Sequence, residues 1–241
     1  MDSRMAPILA PAHPTNSPAR LHALIPAAGV GSRAGTAGPK QYELLEGRAL
    51  VLHTLAAFAQ VRRLASTIVI VAPGDDRLSS SEGYEVVPCG GSTRAASVAG
   101  GLDHLARRGA SDQDWVLVHD GARCLVRPEW IDTLIDRCEQ DAVGGLLAQP
   151  VTDTLKQEED GRVQGTLQRR GKWLAQTPQM FRLGVLRRAL VQAGEDVTDE
   201  ASAVEALGLR PMLVTGSAQN IKVTWPEDFA LASALLRSRQ G

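Results

Sequence analysis

The chain has 241 residues, and Lys+Arg 26 against Asp+Glu 27 gives a formal net charge of −1, which argues against bulk nucleic-acid binding. A hydrophobic content of 44% can build one sizeable α/β core, and the chain contains no run of about 18 apolar residues that would span a membrane. Cys89, Cys124 and Cys138 are scattered without a CxxC, so neither a zinc site nor a disulfide framework is indicated, and a reducing, cytoplasmic setting is expected.

Residues 1–20 carry Pro7, Pro11, Pro14 and Pro18 and read as a disordered leader. A signal peptide is not expected there, and Met5 is an alternative start. Leu21 to Ile25 is an apolar run expected to form a buried strand. The loop after it, Pro26-Ala27-Ala28-Gly29-Val30-Gly31-Ser32, is built of small residues, whose backbone N–H groups can approach phosphate oxygens. Arg33 and Lys40 follow across a Gly- and Pro-broken stretch and supply mobile positive charge. Gly29, Gly31 and Ala34 fit the dinucleotide G-x-G-x-x-A spacing. That motif also needs an immediate helix and an acid about 20 positions on, and the next strand ends Ile70-Val71-Ala72-Pro73 without one. Gly38-Pro39-Lys40-Gln41 likewise lacks the Gly-Lys-Ser/Thr of a P-loop.

Ala49 to Gln60 is helical by periodicity, with His53 read as a packing or surface residue. Thr67 to Ala72 has the continuous β-branched character of a strand buried on both faces. Pro73-Gly74-Asp75-Asp76 breaks it, its acids expected to solvate a turn. Tyr84 to Pro88 is a short strand. Gly90 and Gly91 then precede a Ser/Thr N-cap and a helix over Ala95 to Arg107, another helix N-terminus with free N–H groups. Trp115 to His119 is a third buried strand and ends in Asp120-Gly121-Ala122-Arg123. An acid at the end of a central parallel strand sits where open α/β sheets bind ligands, and it is a candidate for Mg²⁺ held together with phosphates. Cys124 has no identifiable partner base and is not read as a nucleophile.

Pro128 to Gln140 reads as a helix opened by proline, and Gly144 to Pro150 as a strand. From Val151 the pattern alternates, turns at Gln157–Gly161 and alternates again from Val163 to Leu167, which signals a hairpin. A hairpin buries little alone, so it must pack on its own domain or on another subunit. Trp173 to Phe181 follows, then helices at Gly184–Ala193 and Asp199–Leu207, with Thr198 as the expected N-cap of the second. Pro211 to Val214 is a strand. Lys222, between Ile221 and Val223, is expected to project from a short strand, and a helix from Pro226 to about Arg239 ends the pattern.

P-A-A-G-x-G-x-R with P-K-Q-Y, G-G-x-x-R-x-x-S-V, D-G-A-R, T-P-Q-x-F and N-I-K-V-T fall in one order over about residues 21 to 238. Together they resemble the 2-C-methyl-D-erythritol 4-phosphate cytidylyltransferases of the non-mevalonate isoprenoid pathway. That resemblance implies a Rossmann-like, doubly wound, mostly parallel α/β domain over 21–241 with a β-arm inserted at about 151–180. It implies that Pro26, Ala27, Ala28, Gly29 and Gly31 hold the nucleotide, and that Gly91, Ser92, Ser97 and Gly121 help to recognise it. Arg33 and Lys40 would stabilise charge at the α-phosphate and pyrophosphate, while Arg169 and Lys222 would position the acceptor. Arg123, Thr154, Thr177 and Thr198 carry over as further substrate contacts, with Asp120 on the metal side. The arm would dimerise the protein and complete the neighbouring active site. Gly121 and Cys124 stand where the family pattern D-A-A-R-P has alanine and proline, which leaves the geometry of that turn open.

The reaction implied joins CTP to a polyol phosphate with Mg²⁺. It needs no acid–base pair on a nucleophile that is already an anion, so the lack of such a pair in the sequence is no objection. The alternatives are a ribitol-5-phosphate cytidylyltransferase and a non-catalytic nucleotide-binding regulator. The retained Arg33, Lys40, Asp120 and Lys222 disfavour the regulator, and the length of the chain disfavours a second catalytic domain.

Overall fold

The computed structural model describes residues 18–29, 38–194 and 197–239. The greater part of the expected leader, with Gly31, Arg33 and the middle of the phosphate loop, lies outside the described residues. Pro18 to Arg20 are described, and Arg20 is tied to the domain by its backbone N–H and guanidinium, both donating to Asp114.

The main sheet grows from β1 (Leu21–Pro26), whose core residues are almost wholly excluded from water. Its neighbours are β4 (Leu64–Ile70) on one side and β6 (Trp115–Val118) on the other, both parallel to it. β5 (Glu85–Val87) extends the sheet beyond β4. Beyond β6 come β10 (Trp173–Arg182), β7 (Gly144–Pro150) and β11 (Met212–Thr215), so the order is β11-β7-β10-β6-β1-β4-β5. β10 is antiparallel to both its neighbours, and the other six strands share one direction. Two short strands, β2 (Leu44–Leu45) and β3 (Arg48–Ala49), form a separate ribbon.

Period-two alternation in fully buried strands directs neighbouring residues to opposite cores. Ala23, Ile25 and Leu117 face a core completed by α1 (Leu50–Phe58) and α3 (Pro128–Cys138). Leu24, Val116 and Val118 face a core completed by α2 (Arg94–Arg107), α4 (Leu183–Ala193) and α5 (Glu200–Ala206). Each buried aliphatic side chain contributes about 1.5–3 kcal/mol, so these two cores supply most of the burial that holds the sheet and helices together. A third cluster lies under α6 (Pro226–Arg237) and contains Cys124, Leu125 and Val223. Among the described residues no helix is long and apolar enough to cross a membrane.

The chain runs outward from β1 through β4 and β5, then returns to the opposite side of β1 as β6. The crevice at the C-terminal ends of β1 and β6 is therefore the topological switch point where open sheets place ligands. A strand antiparallel to the rest must enter from that same edge. The hairpin of β8 (Leu155–Glu159) and β9 (Arg162–Leu167), which leaves after β7 and returns as β10, accordingly stands at the site end of the sheet.

Three expectations are corrected. The inserted arm is shorter than 151–180, because Gln176 to Arg182 are sheet residues, buried apart from Arg182, and the free hairpin ends at Leu167. Lys222 lies in a loop, since the segment after β11 pairs with no strand and turns through Ser217 to Asn220. Asp199, not Thr198, caps α5: its carboxylate accepts from Ser202 N–H, and the backbone, still extended at Asp199, turns helical only at Glu200.

Candidate active site

The loop after β1 is set by close packing. Ala27 N–H donates to Ile70 O at 2.7 Å, and the Gln41 amide donates to Ala27 O at 2.6 Å. A Cβ on Gly90 would lie 2.3 Å from the Ala28 Cβ and 2.7 Å from Val71 O, so glycine is required for the two loops to meet. Thr93 caps α2 by accepting Ala96 N–H. Ser97 Oγ donates to Thr93 O and accepts from Gly91 N–H, which folds the Gly91–Thr93 turn back toward the crevice.

These loops enclose a cavity of about 370 Å³. Pro26, Ala27, Ala28, Gly29, Lys40, Gly91, Ser92, Ser97, Asp120, Gly121 and Lys222 line it together with Gln41 and Arg94. Lys40 reaches in from the turn after Pro39 and donates to Val223 O at 2.8 Å. Tyr42 anchors that turn by donating to Asp75, with Arg77 stacked 5.0 Å from its ring centroid. Asp75 thus serves as an acceptor in a turn. His53 binds Leu45 O, away from the cavity.

A second cavity of about 260 Å³ adjoins the first and is lined by Arg123, Thr177 and Thr198. Arg94, Asp120 and Lys222 belong to the linings of both. Asp120 is the centre of this shared wall. One oxygen accepts from Arg94 Nε at 2.8 Å, and the other is 2.8 Å from Lys222 Nζ and 4.0 Å from Arg123 Nε. Burial alone would raise the Asp120 pKa, but Arg94, Lys222 and Arg123 together hold it well below the usual carboxylate range. Arg123 gives its terminal nitrogens to Asn220 O and Ala175 O, so it braces the loops around the wall.

Thr177 sits opposite Asp120, because the β10–β6 register sets Gln179 against Val118 and runs antiparallel. Its hydroxyl accepts the Asp120 N–H at 3.0 Å and donates to His119 Nδ1. His119 Nε2 faces Arg123 O at 3.2 Å, and a carbonyl only accepts, so this nitrogen carries the proton of a neutral ring. Burial pushes His119 down to about 3. Thr177→Val should therefore leave the Asp120 N–H and His119 Nδ1 without partners and cost about 1–3 kcal/mol. Denaturant unfolding reads this directly, and an unchanged midpoint would remove the proposed role of the hydroxyl.

The same ring sets a pH dependence. The unfolded chain protonates His119 below its ordinary value of 6.5, whereas the folded chain does not until about 3. Below 6.5 the unfolded state therefore binds more protons, and stability falls as pH falls through that window. His22, lowered first of all by burial, acts in the same sense. The urea midpoint should be lower at about pH 5 than at about pH 7.5, and His119→Asn should flatten that difference.

Two of the expected departures are explained by packing. A Cβ on Gly121 would meet Ile25 at 3.6 Å, an ordinary contact, so the turn accepts glycine or alanine. Cys124 is a core residue, 3% exposed, and burial pushes its thiol up to about 12, which fits packing and not nucleophilic attack. Arg169 and Thr154 are both exposed and line neither cavity of their own chain. Arg94, Glu200, Gln179 and Asn220 hold the wall and were not singled out from sequence. Arg94, Gln179 and Asn220 stood inside quoted motifs, whereas Glu200 lay in the first turn of an expected helix, where an acid has a local explanation.

A family model for 2-C-methyl-D-erythritol 4-phosphate cytidylyltransferase (IspD) matches residues 21–238. The chain is 63% identical over 224 residues to a bifunctional IspD/IspF enzyme of Albidiferax ferrireducens, covering 91% of this chain and 54% of that protein, so it spans about half of that relative's length. It is 52% identical to a 2-C-methyl-D-erythritol 4-phosphate cytidylyltransferase of Burkholderia cenocepacia, covering 90% of this chain and 96% of that protein. Among solved structures, a 4-diphosphocytidyl-2C-methyl-D-erythritol synthase matches with TM-score 0.82 at 40% identity, over 91% of this chain and 100% of the other. The Francisella tularensis cytidylyltransferase matches with TM-score 0.78 at 34% identity, over 90% and 99%.

Proposed function

We infer the reaction of this chain from its family, for it belongs to the 2-C-methyl-D-erythritol 4-phosphate cytidylyltransferases. It transfers CMP from CTP to 2-C-methyl-D-erythritol 4-phosphate and releases pyrophosphate. The observation that carries this reading is the pair of adjoining cavities with one charged wall. The small-residue loop and helix N-terminus of the larger cavity suit a nucleotide triphosphate. The smaller cavity suits a polar phosphate ester. An acceptor phosphate oxygen attacks the α-phosphorus of CTP, the new P–O bond forms, and the bond to the β-phosphate oxygen breaks. Lys40 faces the triphosphate and Lys222 faces the junction, so both neutralise charge where it builds up.

Magnesium fits as an ion that arrives with the triphosphate. Among the described residues Asp120 is the one carboxylate lining the larger cavity, and they contain no group of three acids, histidines or cysteines able to form a resident metal cage. Mg²⁺ commonly takes one or two carboxylates together with substrate phosphates and water, and when bound it supplies further charge neutralisation. Asp120 would hold it.

The working form is a homodimer joined through the arm. Val163, Leu167 and Leu174 are 65%, 45% and 58% exposed, apolar side chains on β9 and β10 that a second copy would cover. A reducing, cytoplasmic location suits the free Cys89, Cys124 and Cys138. Pyrophosphate release with CTP and Mg²⁺ tests the acceptor, with methylerythritol phosphate and ribitol 5-phosphate in separate reactions. Turnover with ribitol 5-phosphate alone would overturn the acceptor assignment, and silence with both acceptors would overturn the reaction.

A further inference from the structure

Glu200, the first residue of α5, is 1% exposed and none of the catalytic roles above uses it. Its two carboxylate oxygens accept from Arg94 Nη1 at 2.6 Å and Nη2 at 3.0 Å. Arg94, the first residue of α2, turns its remaining Nε–H onto Asp120. The Glu200 end is itself fixed. The Gln179 side chain donates to Asp199 and accepts from Ala201 N–H, so α5 is pinned to β10 on both sides of Glu200. One guanidinium thereby joins the helix that opens the nucleotide cavity to the helix beside the acceptor cavity, and its third contact is the carboxylate between them.

With Glu200 buried and Arg94 29% exposed, this ion pair adds little net stability over apolar residues of the same size, because the charges lose much of their hydration. What this pair does add is geometry. The planar fork meets Glu200 in a bidentate fashion and leaves Nε–H one direction, toward the Asp120 oxygen that Lys222 does not hold. Lys222, 40% exposed and held by Asp120 alone among the described carboxylates, is the more exposed member of the wall, and Arg94, 29% exposed and held by two carboxylates, the more tightly bound one. When an anionic acceptor draws Lys222 away, Asp120 keeps one charge-assisted bond and its orientation.

We propose that Arg94 and Glu200 are positioning residues that act as one unit, holding the Asp120 carboxylate in place between the two cavities while Lys222 engages the acceptor phosphate. The proposal rests on the reaction assigned above. Neither residue need touch substrate. Three of the five Arg94 N–H groups, one on each guanidinium nitrogen, are already bonded to carboxylates, and Glu200 lines neither cavity.

The test compares full-length wild type, Arg94→Gln, Glu200→Gln and the double variant. CTP affinity is measured by calorimetry and turnover by pyrophosphate release. Arg94→Gln should lower kcat about thirtyfold, while CTP affinity stays within about threefold. Glu200→Gln should lower kcat about tenfold, since a neutral amide orients the fork less firmly. The double variant, a neutral amide pair free of any buried uncompensated charge, should fold and should be no slower than Arg94→Gln. Three results would each overturn the idea: wild-type kcat in the folded double variant, additive losses in the two single variants, or a loss of CTP affinity as large as the loss of kcat. The last would make Arg94 a nucleotide ligand. A wild-type protein that binds CTP but is silent with methylerythritol phosphate would instead sink the assigned reaction, whatever the variants do.

Discussion

Lys222→Ala is expected to lower kcat/KM for the acceptor by about a thousandfold while leaving the fold and CTP affinity nearly intact. The backbone on both sides of Lys222 is fixed without its side chain. Val223 N–H donates to Ala122 O, and the buried Asn220 amide donates to Thr177 O at 2.8 Å. Truncation therefore removes an ammonium group and little else. The ion pair lost, 2.8 Å long with a 40% exposed lysine, is worth roughly 0–1 kcal/mol to stability after solvent screening. The contribution to catalysis is larger because charge accumulates between the cavities only as the acceptor attacks. One preorganised donor at such a point is worth about 10²–10³ in rate, and a full positive charge lies at the upper end. Asp120 retains Arg94 in the variant and stays ionised, so the effect is not a disguised loss of Asp120. Steady-state pyrophosphate release against acceptor concentration, with calorimetric CTP titration alongside, separates the two terms. A loss below about tenfold would show that Lys222 only balances Asp120.

The contrast between Lys222 and Arg94 also shows where sequence reasoning reached and where it stopped. Apolar runs such as Leu21 to Ile25 and Thr67 to Ala72 were legible as strands because they are buried on both faces, and burial on both faces leaves a near-continuous apolar run, interrupted in the first only by the buried His22. β10 was not legible as a sheet strand. The start of its buried part carries Gln176, Thr177 and Gln179, which are polar because they bond the Ser217 loop, Asp120 and α5. A site placed at the end of a strand erases the hydrophobic pattern by which the strand is recognised. Lys40 and Asp120 were found because each is a charge beside a glycine-rich or strand-end motif, Lys222 only through the resemblance of N-I-K-V-T, and the structure brings all three to one cavity. Glu200 was missed because an acid in the first turn of a helix already has a sufficient local explanation in the dipole. Only the fold places it against Arg94, 106 residues away in sequence. Thr198 and Asp199 were ordered wrongly for a related reason, since either residue type caps helices and only the backbone decides which one does.

Mixing Arg169→Ala with Lys40→Ala should restore activity that neither variant has alone, provided that the arm completes the site of a second copy. Arg169 is the reason for expecting this. It is exposed, its guanidinium donates to Thr152 O within the arm, and it lines neither cavity of its own chain. The arm projects from the carbonyl edge of the sheet, because β10 must enter the sheet there to run antiparallel. The exposed Val163 and Leu167 of the hairpin supply apolar surface by which a second copy would hold it. In a mixed dimer, the body that keeps Lys40 would receive the intact Arg169 of its partner, and the other body would lack both residues. Random exchange at equal concentrations makes about half of the dimers mixed, each with one working site in two, so recovery should reach about a quarter of wild-type activity. If each chain used its own arm, no exchange could place intact Lys40 and Arg169 in the same site. Baseline activity after subunit exchange, verified by native mass spectrometry of differently tagged chains, would therefore place Arg169 in the site of its own chain or outside catalysis altogether.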